Sequence, residues 1–191
     1  MNGRELVVGV SGGIAAYKAA ALVSQLVQAG AGVTVVMTEA ATHLVGPKTF
    51  EALTRRPVGI DMWGLGVHPH IELADQAELL CVAPATANLL AKAAHGMADD
   101  LLSTLLLAFH GPILLAPAMN THMWQKPAVQ RNVAQLREDG VRFVEPEAGY
   151  LSCGAVGPGR MAAPEAIFAA ISSVLDRASD RRGTEGAHSE R

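Results

Sequence analysis

The sequence predicts a three-layer α/β/α fold, with helices covering both faces of a doubly wound parallel sheet. Three observations carry this expectation. Five short apolar runs alternate along the chain with stretches whose apolar residues recur at helical spacing. The runs read as strands buried on both faces, as parallel strands are. The 191 residues are 50% hydrophobic and 17% charged, so a sizeable interior must be covered.

The elements follow in order. Leu6–Val10 is an apolar strand that ends at the turn Ser11-Gly12-Gly13. Ala15–Gln28 has helical spacing and is closed by Gly30. Val33–Met37 is a second buried strand. Ala40–Leu53 reads as helix broken near Gly46-Pro47, and Arg55–Pro69 as an irregular segment. Leu79–Ala83 is the third strand, followed by helices over Ala87–His95 and Asp99–Phe109. Ile113–Ala116 is the fourth strand. Pro127–Asp139 is an amphipathic helix stopped by Gly140, and Val141–Val144 is the fifth strand. Glu147–Met161 is glycine-rich and reads as a loop or flap. Pro164–Leu175 is the last helix. Residues 1–175 thus form one domain. Residues 176–191 form a polar tail, too poor in apolar residues to order itself. Five strands suit a flavodoxin-like order better than a six-stranded dinucleotide fold.

Composition excludes several classes of function. A net charge of −3, with no basic cluster before the tail, leaves no footprint for nucleic acid. No apolar run reaches the ~18 residues that a membrane span requires. The start, MNGRELVVGVSGG, is not a signal peptide, because its short apolar run leads into a glycine turn. Cys81 and Cys153 are too few for a disulfide framework and read as reduced thiols in the cytoplasm. No metal-ligating cluster is expected. A mean hydropathy of +0.24 leaves an apolar excess to be covered in the sheet, in subunit interfaces, or in both.

Three strand ends carry ligand-type residues. The most informative is ILLAPAMNTHMW, 113–124. Here a buried strand ends at Pro117 and the polar amide of Asn120 follows, with Met123 and Trp124 as apolar neighbours. Open α/β sheets bind ligands just beyond such ends. At the first loop, Gly12 and Gly13 allow close backbone approach, and the helix start offers N–H groups to a phosphate. The pattern is not GxGxxG, because Ser11 stands in place of the second glycine. Glu39 could hold an adenosine ribose, but Thr38 beside it suits a phosphate better, since its hydroxyl can donate. At the third loop, Pro84-Ala85-Thr86-Ala87-Asn88 combines helix-capping residues with small ones that leave room for a flat ring. Taken singly, each is also an ordinary turn or cap; their convergence favours a binding site.

These residues resemble a known family. GVSGGIAAYK, HIELA (70–74), PATAN (84–88), PAMNTHMW (117–124) and LSCGAVGPGRM (151–161) are similar to motifs of the homo-oligomeric flavin-containing cysteine decarboxylases, in the same order over residues 5–170. The nearer branch acts on 4′-phosphopantothenoylcysteine and yields 4′-phosphopantetheine for coenzyme A; another acts on the C-terminal cysteine of peptides. The resemblance implies an FMN site lined by Ser11, Gly12, Gly13 and Ile14, with Thr38 and Thr42 near the phosphate. Thr86, Ala87 and Asn88 would contact the flavin, with Met119 nearby. His70 would be the catalytic base, and Asn120 would bind the substrate carboxylate. Tyr150, Leu151 and Ser152 would belong to a substrate flap, with Cys153 as proton donor. The flap's Tyr150 stands where an acidic or other group often stands in the family. A homotrimer or a multiple of trimers is implied. Bacterial relatives often continue into a domain that ligates cysteine to phosphopantothenate; this sequence does not run into one, which implies that another protein supplies that step.

The chemistry explains why such groups are needed. A cysteine α-carboxylate loses CO2 reluctantly, because the carbanion left behind has no electron sink. Oxidation of the side chain to a thioaldehyde puts C=S β to the carboxylate, and CO2 then leaves to give an enethiolate. A flavin takes and returns the hydride. The protein must deprotonate, orient the carboxylate and protonate carbon. His68 shows that a histidine in this loop is uninformative by itself; the HIELA context selects His70. Cys153 separates the two branches, since only a saturated thiol product needs a late proton donor. A third reading, a non-catalytic FMN protein that regulates a partner, is disfavoured by the presence of His70, Asn120 and Cys153.

Overall fold

The computed structural model describes residues 1–64, 66, 68–150 and 156–186. Five parallel strands, β1 (Glu5–Val10), β2 (Gly32–Met37), β3 (Leu79–Ala85), β4 (Ile113–Pro117) and β5 (Arg142–Phe143), pair in the order β2-β1-β3-β4-β5. This is the expected flavodoxin-like order, with its switch point between β1 and β3. The Ala83–Pro84 peptide is cis, and the β3–β4 register shifts between Val82 and Ala85.

Two apolar layers enclose the sheet. Alternate residues of one strand feed opposite faces: Leu6, Val8 and Val10 join one cluster, and Val7 joins the other. The first cluster is covered by α1 (Ala16–Gln28), α3 (Pro47–Thr54) and α9 (Pro164–Gly186), through residues such as Leu22, Phe50 and Ile171. The second is covered by α5 (Ala87–Ala94), α6 (Leu101–Ala108) and α8 (Pro127–Glu138), through Leu90, Leu102 and Val133. Because both faces are packed, the strands read as unbroken apolar runs in the sequence.

Three local findings differ from the sequence expectation and one bears it out. The segment after 55 holds a further helix, α4 (Pro69–Gln76), which opens on Pro69 and packs against α6. Pro at the first helical position costs no hydrogen bond, so the residue that looked like a breaker is a starter. The interrupted 40–53 segment is two helices, α2 (Glu39–Thr42) and α3, separated at Gly46-Pro47. The glycine-rich flap is an antiparallel hairpin, β6 (Glu147–Tyr150) with β7 (Val156–Arg160). Finally, α9 continues to Gly186 where a helix ending at Leu175 was expected. Among the described side chains of α9 the last buried ones are Val174 and Leu175, and Arg177 bonds back to Ser173, one turn earlier.

Among the described residues, no helix is long and apolar enough to cross a membrane, and no group of three or more His, Cys, Asp or Glu could hold a metal ion. Cys81 is a free thiol buried in β3, and burial pushes its pKa up to about 12, so it is inert.

Candidate active site

The C-terminal ends of β1, β2, β3 and β4 converge on one cavity of about 910 Å³. That lies at the upper end of the roughly 300–1,000 Å³ range of ordinary ligand pockets. Each wall comes from a loop that leaves a strand.

The first loop is tied to the third by Ser11, a buried residue. Its Oγ donates to the Pro84 carbonyl at 2.7 Å and accepts the Thr86 N–H at 3.0 Å. Gly12 and Gly13 follow. A Cβ on Gly12 would stand 2.4 Å from the Cβ of Ala40, so only glycine lets this loop approach the second one. Thr38 caps α2: its Oγ1 accepts the Ala41 N–H at 3.3 Å. The hydroxyl hydrogen is then left to donate, as a phosphate requires.

In the third loop, Thr86 caps α5 by accepting the Leu89 N–H, and Ala87 and Asn88 form that helix's first turn. Lys92 stands one turn further on. Its ammonium is paired with Asp99 at 2.6 Å and Asp100 at 2.8 Å. Hydrogen bonds to these carboxylates raise the Lys92 pKa. Asp100 in turn caps α6 in a reciprocal pair with Ser103.

In the fourth loop, Asn120 caps α7 (Thr121–Trp124), with its Oδ1 accepting the His122 N–H at 2.8 Å. The oxygen is committed to the cap, so the chemistry that Asn120 offers a ligand is donation from Nδ2. The preceding Met119 donates its N–H to the Gly159 carbonyl at 2.9 Å, which docks the foot of the β6–β7 hairpin on this loop. Gly159 has φ +130°, and a Cβ there would meet the Met119 oxygen at 2.4 Å.

Of the residues expected at the site, Ser11, Gly12, Gly13, Ile14, Thr38, Thr86, Ala87, Asn88, Met119, Asn120 and Tyr150 line this cavity. Two are placed elsewhere. Thr42 lies beyond the cavity wall and donates its hydroxyl to the Glu39 carbonyl at 2.7 Å. His70 sits in the first turn of α4 and does not line the cavity of its own chain. Its Nδ1 is buried without a hydrogen-bond partner among the described residues, and its ring lies 6.5 Å from that of His68. Leu151, Ser152 and Cys153 lie outside the described residues, between Tyr150 and Val156.

The cavity also contains Lys18, Lys92, Asp99, Asp100 and Arg160, which sequence reasoning missed. Helical spacing could have found two of them. Lys18 lies one turn on from Ile14, and Lys92 one turn on from Asn88. The others reach the cavity only through tertiary folding.

The residues present fit a flat phosphorylated cofactor. Gly12 and Gly13 line the cavity with bare backbone, Thr38 stands ready to donate, and the third loop offers small residues beside Asn88. The rim is apolar and exposed: Ile14 is 60% exposed, Tyr17 62% and Tyr150 71%.

Comparison with known proteins agrees with this geometry. The family model described as Flavoprotein matches residues 1–176. The coenzyme A biosynthesis bifunctional protein CoaBC of Bacillus subtilis is 54% identical over 170 residues, covering 87% of this chain and 42% of that protein. Its counterpart in Haemophilus influenzae is 42% identical over 186 residues, 96% of this chain and 46% of that protein. The chain therefore spans less than half the length of these curated relatives. Among solved structures, the FMN-dependent cysteine decarboxylase SpaF superposes with a TM-score of 0.81 at 40% identity, covering 93% of this chain and 98% of that one. A cysteine-to-serine mutant of a PPC decarboxylase, complexed with pantothenoylaminoethenethiol, superposes at 0.83 and 30% identity, covering 91% and 98%. With a family model matched over nearly its whole length and a sheet order to suit, this chain belongs to the Flavoprotein family.

Proposed function

We propose that the protein binds FMN and decarboxylates 4′-phosphopantothenoylcysteine to 4′-phosphopantetheine in coenzyme A biosynthesis. The observation that carries this reading is the cavity itself. It joins the Gly12–Gly13 turn and Thr38, which suit a phosphate, to Asn120, which suits a carboxylate, across a floor of small residues. Similarity to the CoaBC proteins and to a PPC decarboxylase supports the substrate.

Within this reading, Ser11 to Ile14 and Thr86 to Asn88 hold the cofactor, with Thr38 at its phosphate and Met119 alongside. Bound FMN supplies reversible hydride acceptance. Asn120 holds the substrate carboxylate through Nδ2 and keeps it from water. His70 takes the proton from the cysteine side chain, the general-base task to which an imidazole is suited. Cys153, with Tyr150, Leu151 and Ser152 in the flap, returns a proton to carbon before release. The enethiol held by the relative's cysteine-to-serine mutant is the species expected when that proton is withheld.

His70 lies outside its own chain's cavity, and the rim of that cavity is apolar and exposed. Both features support a homotrimer, or a multiple of it, in which His70 of one subunit completes the cavity of the next. The same reading places the protein in the cytoplasm, where a thiol substrate stays reduced. It includes no nucleic-acid or membrane partner.

The similarity to SpaF favours one alternative, decarboxylation of a peptide C-terminal cysteine. The higher identity to CoaBC and the presence of Cys153 favour the small substrate. The test is to purify the protein, identify the released chromophore, and measure CO2 from 4′-phosphopantothenoylcysteine and from a cysteine-ended peptide. Bound FMN with CO2 from the former is expected. A colourless protein, or one active only on the peptide, overturns the proposal.

A further inference from the structure

The proposed reaction brings three anionic groups into one cavity: the cofactor phosphate, the substrate carboxylate, and the phosphate at the far end of the substrate. Thr38 with the glycine turn accounts for the first, and Asn120 for the second. Lys18 and Arg160 also line the cavity and have no such role. Lys18 stands in the first turn of α1, and Arg160 ends β7. The Arg160 side chain crosses the hairpin to within 3.2 Å of where a Cβ on Gly149 would stand.

The two cations line the same cavity. Burial and the nearby Arg160 charge hold the Lys18 ammonium below the usual lysine range, against the opposing pull of Glu147 and Glu165. Neither cation forms an ion pair among the described residues. The two carboxylates that act on Lys18 make no ion pair with it, and each accepts a hydrogen bond from another group. Glu147 accepts the Ala163 N–H at 2.9 Å, and Glu165 accepts the Gln25 Nε2 at 3.0 Å. Lys92, the third cation of the cavity, is by contrast already matched by Asp99 and Asp100. Two like charges in one partly desolvated wall repel each other, and an anion bound between them relieves that repulsion.

We propose that Lys18 and Arg160 form the subsite for the substrate's phosphate monoester, and so set a preference for phosphorylated over unphosphorylated cysteine substrates. This rests on the decarboxylase reading above. A phosphate dianion matches both partners: the lysine as a point charge and the arginine as a planar fork of donors. A peptide that ends in cysteine carries no such group, so this pair adds a second discriminator to Cys153. FMN carries the same phosphate chemistry, and the test must separate the two sources.

The FMN-loaded enzyme and its Lys18→Gln/Arg160→Gln variant are compared on 4′-phosphopantothenoylcysteine and on pantothenoylcysteine. FMN and riboflavin affinities are measured in parallel, and binding of 4′-phosphopantetheine and pantetheine is followed by calorimetry. The wild type should favour the phosphorylated substrate in kcat/KM by about 100-fold, the scale of charge-assisted hydrogen bonds. In the variant this ratio should fall towards one, and 4′-phosphopantetheine should lose its advantage over pantetheine. Arg160→Lys should recover part of the ratio. Should the double variant misfold, ionic strength serves instead: added salt should raise KM for the phosphorylated substrate and not for the other. An unchanged ratio in a folded, FMN-loaded variant overturns the proposal. Loss of FMN affinity with riboflavin affinity retained assigns the pair to the cofactor and also overturns it. A wild type that releases no CO2 from either substrate removes the underlying reading as well.

Discussion

Ser11 and Thr86, far apart in sequence, meet where two loops form the cavity floor: the Ser11 Oγ accepts the Thr86 N–H at 3.0 Å while donating to the Pro84 carbonyl at 2.7 Å. Ser11 is therefore spent on the protein itself, and its contribution to cofactor binding is to set the separation of the two loops. Ser11→Ala strands the Thr86 N–H, while the Pro84 carbonyl keeps the Ser11 backbone N–H at 3.3 Å. We expect a loss of about 1–3 kcal/mol of stability, the cost of unsatisfied buried groups. A lower melting temperature together with weaker FMN binding would bear this out; an unchanged melt would show that the loops hold without it.

Asn120→Asp separates capping from ligand binding. Aspartate caps a helix as well as asparagine does, so α7 should form and the melting temperature should hold. The Nδ2 donors, however, give way to a negative charge facing a carboxylate. Substrate affinity should fall by about 2–5 kcal/mol, as for a buried charged contact left unpaired. Titration with the substrate or a carboxylate analogue reads this directly, and equal affinity in both proteins would take Asn120 out of the site.

Gly159→Ala tests the docking of the flap. The residue has φ +130°, and its Cβ would lie 2.4 Å from the Met119 oxygen. Alanine should cost about 1–3 kcal/mol in backbone strain and break the Met119–Gly159 hydrogen bond. The hairpin should then become the first segment cut in limited proteolysis, with KM raised more than kcat lowered. Wild-type resistance to cleavage would refute a docked foot.

His70→Asn should leave FMN bound, because asparagine keeps a similar size and polarity and removes only the base. It should lower CO2 release by about 10²–10⁴-fold, the usual contribution of a general base. Mixing it with an FMN-binding-deficient variant that keeps His70 should restore activity if subunits share the site. A near wild-type rate would move the role to His68.

The sheet was legible in the sequence because burial on both faces leaves unbroken apolar runs such as Leu6–Val10. The three ligand loops were legible because glycines, caps and an amide stand directly after those runs. The second group of site residues was hidden for a physical reason. Asp99 and Arg160 come to the cavity from the start of a helix and the end of a hairpin, positions that no local periodicity marks. The helix α4 was obscured by its opening proline, and the hairpin by glycines that mimic a loop. His70 was chosen from sequence context alone, and its place outside the cavity follows only from the fold.

The product made from 4′-phosphopantothenoylcysteine by the FMN-loaded protein and by its Cys153→Ser variant decides most directly whether this is a complete decarboxylase. A thiol can deliver a proton that a serine hydroxyl, a far weaker acid, cannot readily supply. Mass spectrometry should find the substrate less CO2, the saturated thiol, from the unaltered protein. The variant should yield an enethiol two hydrogens lighter. A lighter product from the unaltered protein, or a saturated thiol from Cys153→Ser at the normal rate, would contradict it.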